Sequence, residues 1–222
     1  MTLKVGINGF GRIGRNVMRA AKQAGADIDF VAVNDLGDPE TMAYLLKHDT
    51  VFGPAPFDVT IGDGDITVDG DKMEFLSIQN PAALPWGDLG VDIVIESTGI
   101  FKTRNQAAMH LAAGAKKVII SAPSNDADAM VVLGVNDGEL STDDVIVSNA
   151  SCTTNCFAPM VKVLDDAFGV EQGMITTIHA YTGTQNLVDA PHKDFRRARA
   201  GAVNLIPTST GAAKATGKVL QH

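Results

Sequence analysis

The chain has 222 residues, and a formal net charge of -8 at pH 7 results from 18 Lys and Arg against 26 Asp and Glu. At roughly 150 residues per domain, this length predicts about one and a half domains. With 45% hydrophobic and 20% charged residues, the composition excludes disordered and collagen-like chains. The acidic balance argues against nucleic acid as the main partner. Without a long apolar run or a secretory signal, we expect no membrane span and a cytoplasmic protein.

Short β-rich runs alternate with helical stretches in the first half of the chain, which is typical of a parallel sheet covered by helices. The pattern predicts strands at residues 3–7 and 28–33 and helices at residues 12–24 and 39–47. Between residues 57 and 78, alternating runs broken by GDGD and DGD predict antiparallel hairpins inserted into this pattern.

The alternation of strands and helices resumes after residue 90 and ends near residue 181. We predict strands at residues 91–96, 117–121, 130–135, 145–148 and 174–180, and helices at residues 103–113, at residues 152–168 and from near Gly211. Residues 181–207 show no periodicity, and a segment of this length without regular structure is usually functional or part of an interface.

Gly9-Phe10-Gly11-Arg12-Ile13-Gly14 follows the first strand and opens the first helix. In such a motif the first glycine allows a tight turn, the second lets the backbone approach a pyrophosphate, and the third allows close packing of helix on strand. A glycine-rich turn without a ligand is the alternative. Asp35 favours the dinucleotide interpretation, because a carboxylate ending the second strand can accept hydrogen bonds from a ribose and would repel a 2'-phosphate. The predicted cofactor is therefore NAD.

Cys152 stands where a strand ends and a helix begins, and a helix N-terminus stabilises a thiolate. Cys156, one turn further on, is expected to face the core. Of the five histidines, His179 ends a predicted strand and is the candidate base, whereas His48 and His110 on predicted helices are expected to be surface or structural residues. A thiolate beside a hydride acceptor suits oxidation of an aldehyde through a thioester.

The thioester then needs an acceptor, and two segments suit anions. Lys193, Arg196, Arg197 and Arg199 form a basic cluster whose alternative role is a solvated interface loop, and the hydroxyl-rich PTSTG precedes a second helix start.

Eight segments in order along the chain resemble glyceraldehyde-3-phosphate dehydrogenases of the phosphorylating, NAD-linked kind: KVGINGFGRIGR, VAVNDL, VDIVIESTG, AKKVIISAP, SNASCTTNC, HAYT, PHKDFRRARA and NLIPTSTGAAKA. The resemblance implies a Rossmann-type doubly wound parallel sheet at residues 1–150 and the incomplete start of an α+β catalytic domain at residues 151–222. It implies a glycolytic homotetramer that converts D-glyceraldehyde 3-phosphate, NAD and inorganic phosphate to 1,3-bisphosphoglycerate. Erythrose-4-phosphate dehydrogenase, and a dinucleotide-binding fragment without catalysis, are the alternatives.

The resemblance also carries roles over to individual positions. It implies Cys152 as nucleophile and His179 as base. Cofactor contacts are implied for Gly9, Gly11, Arg12, Ile13, Asp35, Gln79 and Ser121. Substrate and phosphate contacts are implied for Ser151, Cys152, Thr153, Thr182, Arg197, Thr210 and Gly211, and no metal is implied. Residues 181–207 resemble a loop that lies against a neighbouring subunit.

Three departures from the family pattern stand out. Gln79 replaces a common arginine, and Ala190 replaces a leucine of NAD-specific members, which suggests tolerance of NADP. The family's chains also run on past residue 222, so we expect a C-terminally truncated chain that is inactive by itself.

Overall fold

A computed structural model of the protein describes residues 2–62 and 64–220. The chain divides between Ser151 and Cys152 into two compact units. The first unit contains every strand found in the described residues, and the second contains two helices joined by a long irregular segment.

A nine-stranded sheet forms the first unit, in the order β10-β11-β9-β8-β1-β2-β7-β6-β5 within the described residues. Its bounds are β1 Leu3–Asn8, β2 Ile28–Asn34, β5 Val59–Ile61, β6 Asp65–Val68, β7 Asp71–Leu76, β8 Ile93–Glu96, β9 Lys117–Ile120, β10 Ala129–Met130 and β11 Ile146–Ser148. Neighbouring strands from β10 to β7 in this order pair in parallel, whereas β6 pairs antiparallel with both β7 and β5. A separate two-stranded ribbon joins β3 His48–Asp49 and β4 Gly53–Pro54.

The helices are α1 Arg12–Gln23, α2 Pro39–Lys47, α3 Trp86–Leu89, α4 Arg104–Ala112, α5 Cys152–Phe168 and α6 Ala212–Val219. Side-chain caps explain two of the helix starts. Asp38 accepts the Thr41 amide ahead of Pro39, and Thr103 forms a capping box with Gln106. These caps satisfy N–H groups that the first turn of a helix leaves without an internal partner.

Apolar clusters cover the sheet, and the largest packs Ile7, Phe10, Met18 and Leu46 together. A second cluster surrounds the buried indole of Trp86. A Cβ on Gly6 would lie 2.7 Å from Cζ3 of that ring, so the glycine lets β1 pass close to it. Burial of this kind is the dominant favourable contribution to folding.

β1 connects to β2 on one side, while β8 lies on its other side. The strand order therefore reverses between β1 and β8, and in open parallel sheets ligands bind outside the carboxyl ends of the strands at such a point. The predicted α/β fold with a central Rossmann-type parallel sheet is confirmed.

Two predicted strands are wrong in the structure. Of residues 130–135, only Met130 belongs to a strand, as the last residue of β10. Asn136 turns the chain back there, because its side-chain amide accepts the Val132 N–H and donates to the Met130 carbonyl. Residues 174–180 have no strand partner in the described part of the chain, where Met174 and Ile178 are 96% and 94% exposed. A strand-like composition does not produce a strand without a neighbour to pair with.

Residues 181–207 contain turns but no helix or strand, as predicted. Among the described residues, none of the helices is both long and apolar enough for a bilayer span.

Candidate active site

The glycine-rich turn between β1 and α1 has a separate steric reason for each glycine. Gly9 has a φ of +92°, and a Cβ there would lie 2.6 Å from the Thr98 nitrogen. A Cβ on Gly14 would lie 2.3 Å from the Gly9 carbonyl oxygen. Around Gly11 the space is open, and this N-cap residue has no side chain to cap the helix. The first N–H groups of α1 are thus left for an anion.

Asp35 follows β2, and its carboxylate bridges two backbone segments. Oδ2 accepts the Phe10 N–H at 2.8 Å, and Oδ1 accepts the Gly37 N–H at 2.8 Å. These bonds fix the carboxylate next to the glycine-rich turn. Each oxygen retains capacity for a further donor such as a ribose hydroxyl.

The other predicted cofactor residues belong to the same unit. Arg12 begins α1, and its guanidinium pairs with Asp49 Oδ2 at 2.9 Å. Ile13 is half-exposed, and Gln79 is exposed. Ser121 follows β9 and donates its N–H to the Glu96 carbonyl. Because the Arg12 guanidinium is paired with Asp49, we expect the backbone N–H of Arg12, rather than its side chain, to contact a cofactor.

In the second unit, Cys152 and His179 meet. Cys152 is the first residue of α5 and is exposed, and its sulfur lies 3.3 Å from His179 Nε2. His179 Nδ1 lies 2.6 Å from the Ala180 carbonyl oxygen. Since a carbonyl can only accept, Nδ1 carries a proton, and Nε2 is left to take the thiol proton. The structure thus pairs a nucleophile with a base across 27 residues of sequence.

The contacts of this pair shift both pKa values. Partial burial works to raise the pKa of Cys152, but hydrogen bonds from His179 and Thr153 and the positive charge of His179 outweigh it, and the pKa falls below its usual value. The Ala180 carbonyl, followed by the Cys152 sulfur, raises the pKa of His179. Both shifts favour a thiolate beside an imidazolium, and the two groups titrate together.

Of the remaining predicted substrate residues, some lie close to this pair and others form no hydrogen bond with it. Thr153 Oγ1 lies 4.0 Å from the Cys152 sulfur, and Thr182 bonds within its own turn to Gln185. Among residues 2–62 and 64–220, no hydrogen bond is recorded from Arg197, Thr210 or Gly211 to Cys152 or His179. Ser151 is the last residue of the first unit.

Cys156 was expected to face the core, and this expectation is wrong: the side chain is exposed. The buried face of α5 carries Thr154 and Ala158, four residues apart. Cys156 lies midway between them in sequence and therefore points away from that face.

His48 was expected on a helix, but it follows α2 and starts β3.

Comparisons with known proteins bear directly on this site. Residues 3–104 match the family described as "Glyceraldehyde 3-phosphate dehydrogenase, NAD binding domain", and residues 151–222 match its C-terminal domain. The glyceraldehyde-3-phosphate dehydrogenase of Mycobacterium avium is 60% identical over 228 residues, which cover 100% of this chain and 67% of the relative. The chain belongs to the glyceraldehyde-3-phosphate dehydrogenase family. This confirms the resemblance found in the sequence.

A similar match extends to other members of the family. The Streptomyces coelicolor enzyme is 59% identical over 221 residues, which cover 99% of this chain and 66% of that protein. The Mycobacterium tuberculosis enzyme is 59% identical, with 99% and 67% covered. The chain thus spans about two thirds of the length of these glyceraldehyde-3-phosphate dehydrogenases. The family's NAD-binding domain also confirms NAD as the predicted cofactor.

Sequence reasoning missed the polar side chains beneath the glycine-rich turn. Asn8, Asn34 and Glu96 end β1, β2 and β8, and all three are buried. A polar residue closing an otherwise apolar strand was the available signal, because buried polar groups must find partners.

Proposed function

We propose that the protein catalyses oxidative phosphorylation of D-glyceraldehyde 3-phosphate with NAD and inorganic phosphate, yielding 1,3-bisphosphoglycerate. The observation that carries this proposal is the 3.3 Å contact of Cys152 Sγ with His179 Nε2 at the start of α5. Family membership supports the choice of aldehyde, since the named relatives are glyceraldehyde-3-phosphate dehydrogenases. Erythrose 4-phosphate is not favoured, because none of those relatives is named for it.

His179 starts the reaction by taking the thiol proton of Cys152. The thiolate adds to the aldehyde carbon, and the imidazolium proton neutralises the oxygen that becomes negative. The product is a hemithioacetal on Cys152. With Nδ1 held by the Ala180 carbonyl, Nε2 stays aimed at the reacting sulfur throughout.

The hemithioacetal becomes a thioester when its carbon loses hydride and its hydroxyl loses a proton to His179. NAD, when bound, supplies the hydride acceptor. Inorganic phosphate then attacks the thioester carbonyl, the carbon–sulfur bond breaks, and Cys152 leaves as the thiolate that begins the next cycle. Its lowered pKa favours this departure.

For the cofactor, the residues of the first unit supply a chemically suitable set. Backbone N–H groups of α1 suit the pyrophosphate, with open space at Gly11, and Asp35 suits the adenosine ribose. We assign contacts there to Gly9, Gly11, Arg12, Ile13, Asp35, Gln79 and Ser121.

Substrate and phosphate contacts are assigned to Ser151, Cys152, Thr153, Thr182, Arg197, Thr210 and Gly211. Arg197 has a buried Nε without a hydrogen-bond partner among the described residues, which leaves a donor for an anion. We further propose a cytoplasmic homotetramer, with residues 1–150 as its nucleotide domain and residues 151–222 as the N-terminal part of its catalytic domain.

NADH formation tests this function. The chain spans 66% of the Streptomyces coelicolor relative. Absorbance is therefore followed for the chain itself and for a chimaera that adds the C-terminal third of that relative, which the chain does not span. We expect turnover of glyceraldehyde 3-phosphate by the chimaera only when phosphate is present, and none by the chain alone.

Cys152→Ser in the chimaera should abolish NADH formation, while Cys156→Ser, a matched change on the same helix, should retain it. Activity without phosphate, or activity that survives Cys152→Ser, would contradict the proposal. Preferential turnover of erythrose 4-phosphate would show that erythrose 4-phosphate, not glyceraldehyde 3-phosphate, is the substrate.

A further inference from the structure

Arg15, on α1, bonds to the backbone on both sides of Gly11. Its guanidinium Nη1 donates to the Phe10 carbonyl at 2.8 Å, and its own backbone N–H donates to the Gly11 carbonyl at 3.1 Å. Any residue at this position of the helix supplies the second bond, because it follows the regular helical pattern. The first bond requires a long side chain that carries a donor, so it depends on the arginine.

The Phe10 carbonyl belongs to the same peptide unit as the Gly11 N–H. In a planar trans peptide, the carbonyl and the N–H point in opposite directions. The bond from Arg15 therefore fixes the direction of the Gly11 N–H, which points away from the guanidinium. This N–H has no hydrogen-bond partner in the part of the chain that the structure describes. Like the first N–H groups of α1, it is available to an anion.

The preceding peptide unit, between Gly9 and Phe10, is held by other groups. The Phe10 N–H donates to Asp35 Oδ2 at 2.8 Å, and the Gly9 carbonyl accepts the Ser97 hydroxyl at 2.6 Å. The Phe10 side chain is 0% exposed, which anchors the turn in the core. None of these contacts involves Arg15, so this peptide unit should keep its position without the arginine.

The Arg15 guanidinium has few other partners. The side chain is partly buried, and burial lowers its pKa, although the charges of Asp35 and Asp49 act in the opposite direction. Within residues 2–62 and 64–220, it has no ion-pair partner at 4.0 Å or less. Apart from the Phe10 carbonyl, Nη1 contacts only the weak acceptor Met42 Sδ, at 3.6 Å. The bond that accounts for this partly buried cation is therefore the one to the glycine-rich turn.

We infer that Arg15 is a positioning residue for the pyrophosphate of NAD: its guanidinium holds the peptide between Phe10 and Gly11, so that the entrance to α1 keeps the conformation that receives the phosphates. This inference rests on the proposed function, and specifically on NAD binding at the glycine-rich turn. Arg15 acts through this peptide unit and not by contact with the cofactor.

Arg15→Met tests the inference, because methionine keeps the apolar part of the side chain and removes the donor. NAD and adenosine, which lacks phosphate groups, are titrated calorimetrically into the 222-residue chain. We expect Arg15→Met to weaken NAD about 10-fold, since the released peptide must be ordered again when the phosphates bind. Adenosine should change less than 2-fold, because the Asp35 carboxylate keeps its own bonds.

Loss of the positive charge would by itself weaken an anionic ligand, and salt separates this effect from positioning. Attraction between charges is screened as ionic strength rises, whereas the orientation of a peptide is not. The ratio of the NAD dissociation constants of Arg15→Met and the unaltered chain should therefore be the same at about 0.05 M and about 0.5 M salt. A ratio that falls to one at high salt would assign the effect to charge and overturn the inference.

Two further substitutions vary the donor at the same position. Arg15→Lys keeps a charged donor of similar reach and should recover most of the NAD affinity. Arg15→Gln has a shorter side chain, whose amide should not reach the Phe10 carbonyl, and should weaken NAD as Arg15→Met does. It keeps the test available should Arg15→Met fail to fold.

Arg19→Met is the matched control. Arg19 lies one turn further along α1, and its guanidinium also donates to backbone carbonyls, those of Leu46 at 2.7 Å and Gly53 at 2.8 Å. Neither carbonyl belongs to the glycine-rich turn, so Arg19→Met should lower the melting temperature without changing the ratio of the NAD and adenosine affinities. An unchanged ratio in Arg15→Met and Arg15→Gln, or an equal change in Arg19→Met, would overturn the inference. Failure of the unaltered chain to bind NAD would contradict the proposed function instead.

Discussion

The Asp35 carboxylate lies next to the glycine-rich turn, and we propose that it selects NAD over NADP. Its two oxygens accept the N–H groups of Phe10 and Gly37, so the carboxylate cannot swing away from the crevice. A negative charge fixed there would attract ribose hydroxyls and repel a 2'-phosphate. Discrimination between NAD and NADP then follows from charge as well as from hydrogen bonding.

Asp35→Asn should therefore lower the preference for NAD over NADP about 10-fold, since removing the charge removes the repulsion of the phosphate. Dissociation constants for both dinucleotides provide the measurement. Asp38→Asn is the matched control: Asp38 is a nearby acid that caps α2, and asparagine caps equally well. An unaltered preference in Asp35→Asn would show that this carboxylate does not read the ribose.

At the level of elements, the turn from β1 to α1 uses its glycines in two different ways. Gly14 leaves no room for a methyl group against the Gly9 carbonyl, whereas Gly11 has open space around it. Gly14 is therefore required by the packing of the folded chain. The open space at Gly11 is instead available to a ligand.

Gly14→Ala should reduce the free energy of unfolding by about 1–3 kcal/mol through overpacking. Gly11→Ala should leave stability within about 0.5 kcal/mol but weaken NAD binding, because its methyl group enters the space of the pyrophosphate. Urea unfolding and calorimetric titration measure the two effects. The reverse pattern, with Gly11→Ala unstable and Gly14→Ala tolerated, would contradict this division.

On the scale of the whole molecule, the long irregular segment of the second unit contrasts with the sheet of the first. Between residues 170 and 207 the structure has no helix or strand, and Phe195 and Leu205 are 87% and 94% exposed. Segments with few packed contacts open at little cost in free energy.

Limited digestion with chymotrypsin should therefore cut first within residues 170–207, as identified by mass spectrometry. Tyr44 is an internal comparison, because it is 63% exposed but lies on α2. It should be cut more slowly than Phe195. Early cleavage at Tyr44 would mean that the sheet unit is the less protected of the two.

Local signals in the sequence were sufficient for most of the sheet unit, and for different reasons. α2 has the predicted bounds because the Asp38 cap and Pro39 mark its start. In the second unit, α5 also has its predicted bounds. Residues 174–180 were mispredicted because a strand depends on a partner that composition does not reveal. The pairing of Cys152 with His179 was expected from residue types, but its distance is a tertiary fact. The buried polar residues that end β1, β2 and β8 escaped notice because they are far apart in the sequence.

The central claim is that His179 activates Cys152, and the pH dependence of Cys152 alkylation tests it most directly. The contact lowers the pKa of the thiol, so the thiolate is present at pH values below the usual range for cysteine, near 8.5. In the 222-residue chain, labelling of Cys152 by iodoacetamide, followed by peptide mass spectrometry, should rise at a lower pH than labelling of Cys156. His179→Asn should move the Cys152 profile upward to that of an ordinary thiol. Identical Cys152 profiles with and without His179 would contradict the account.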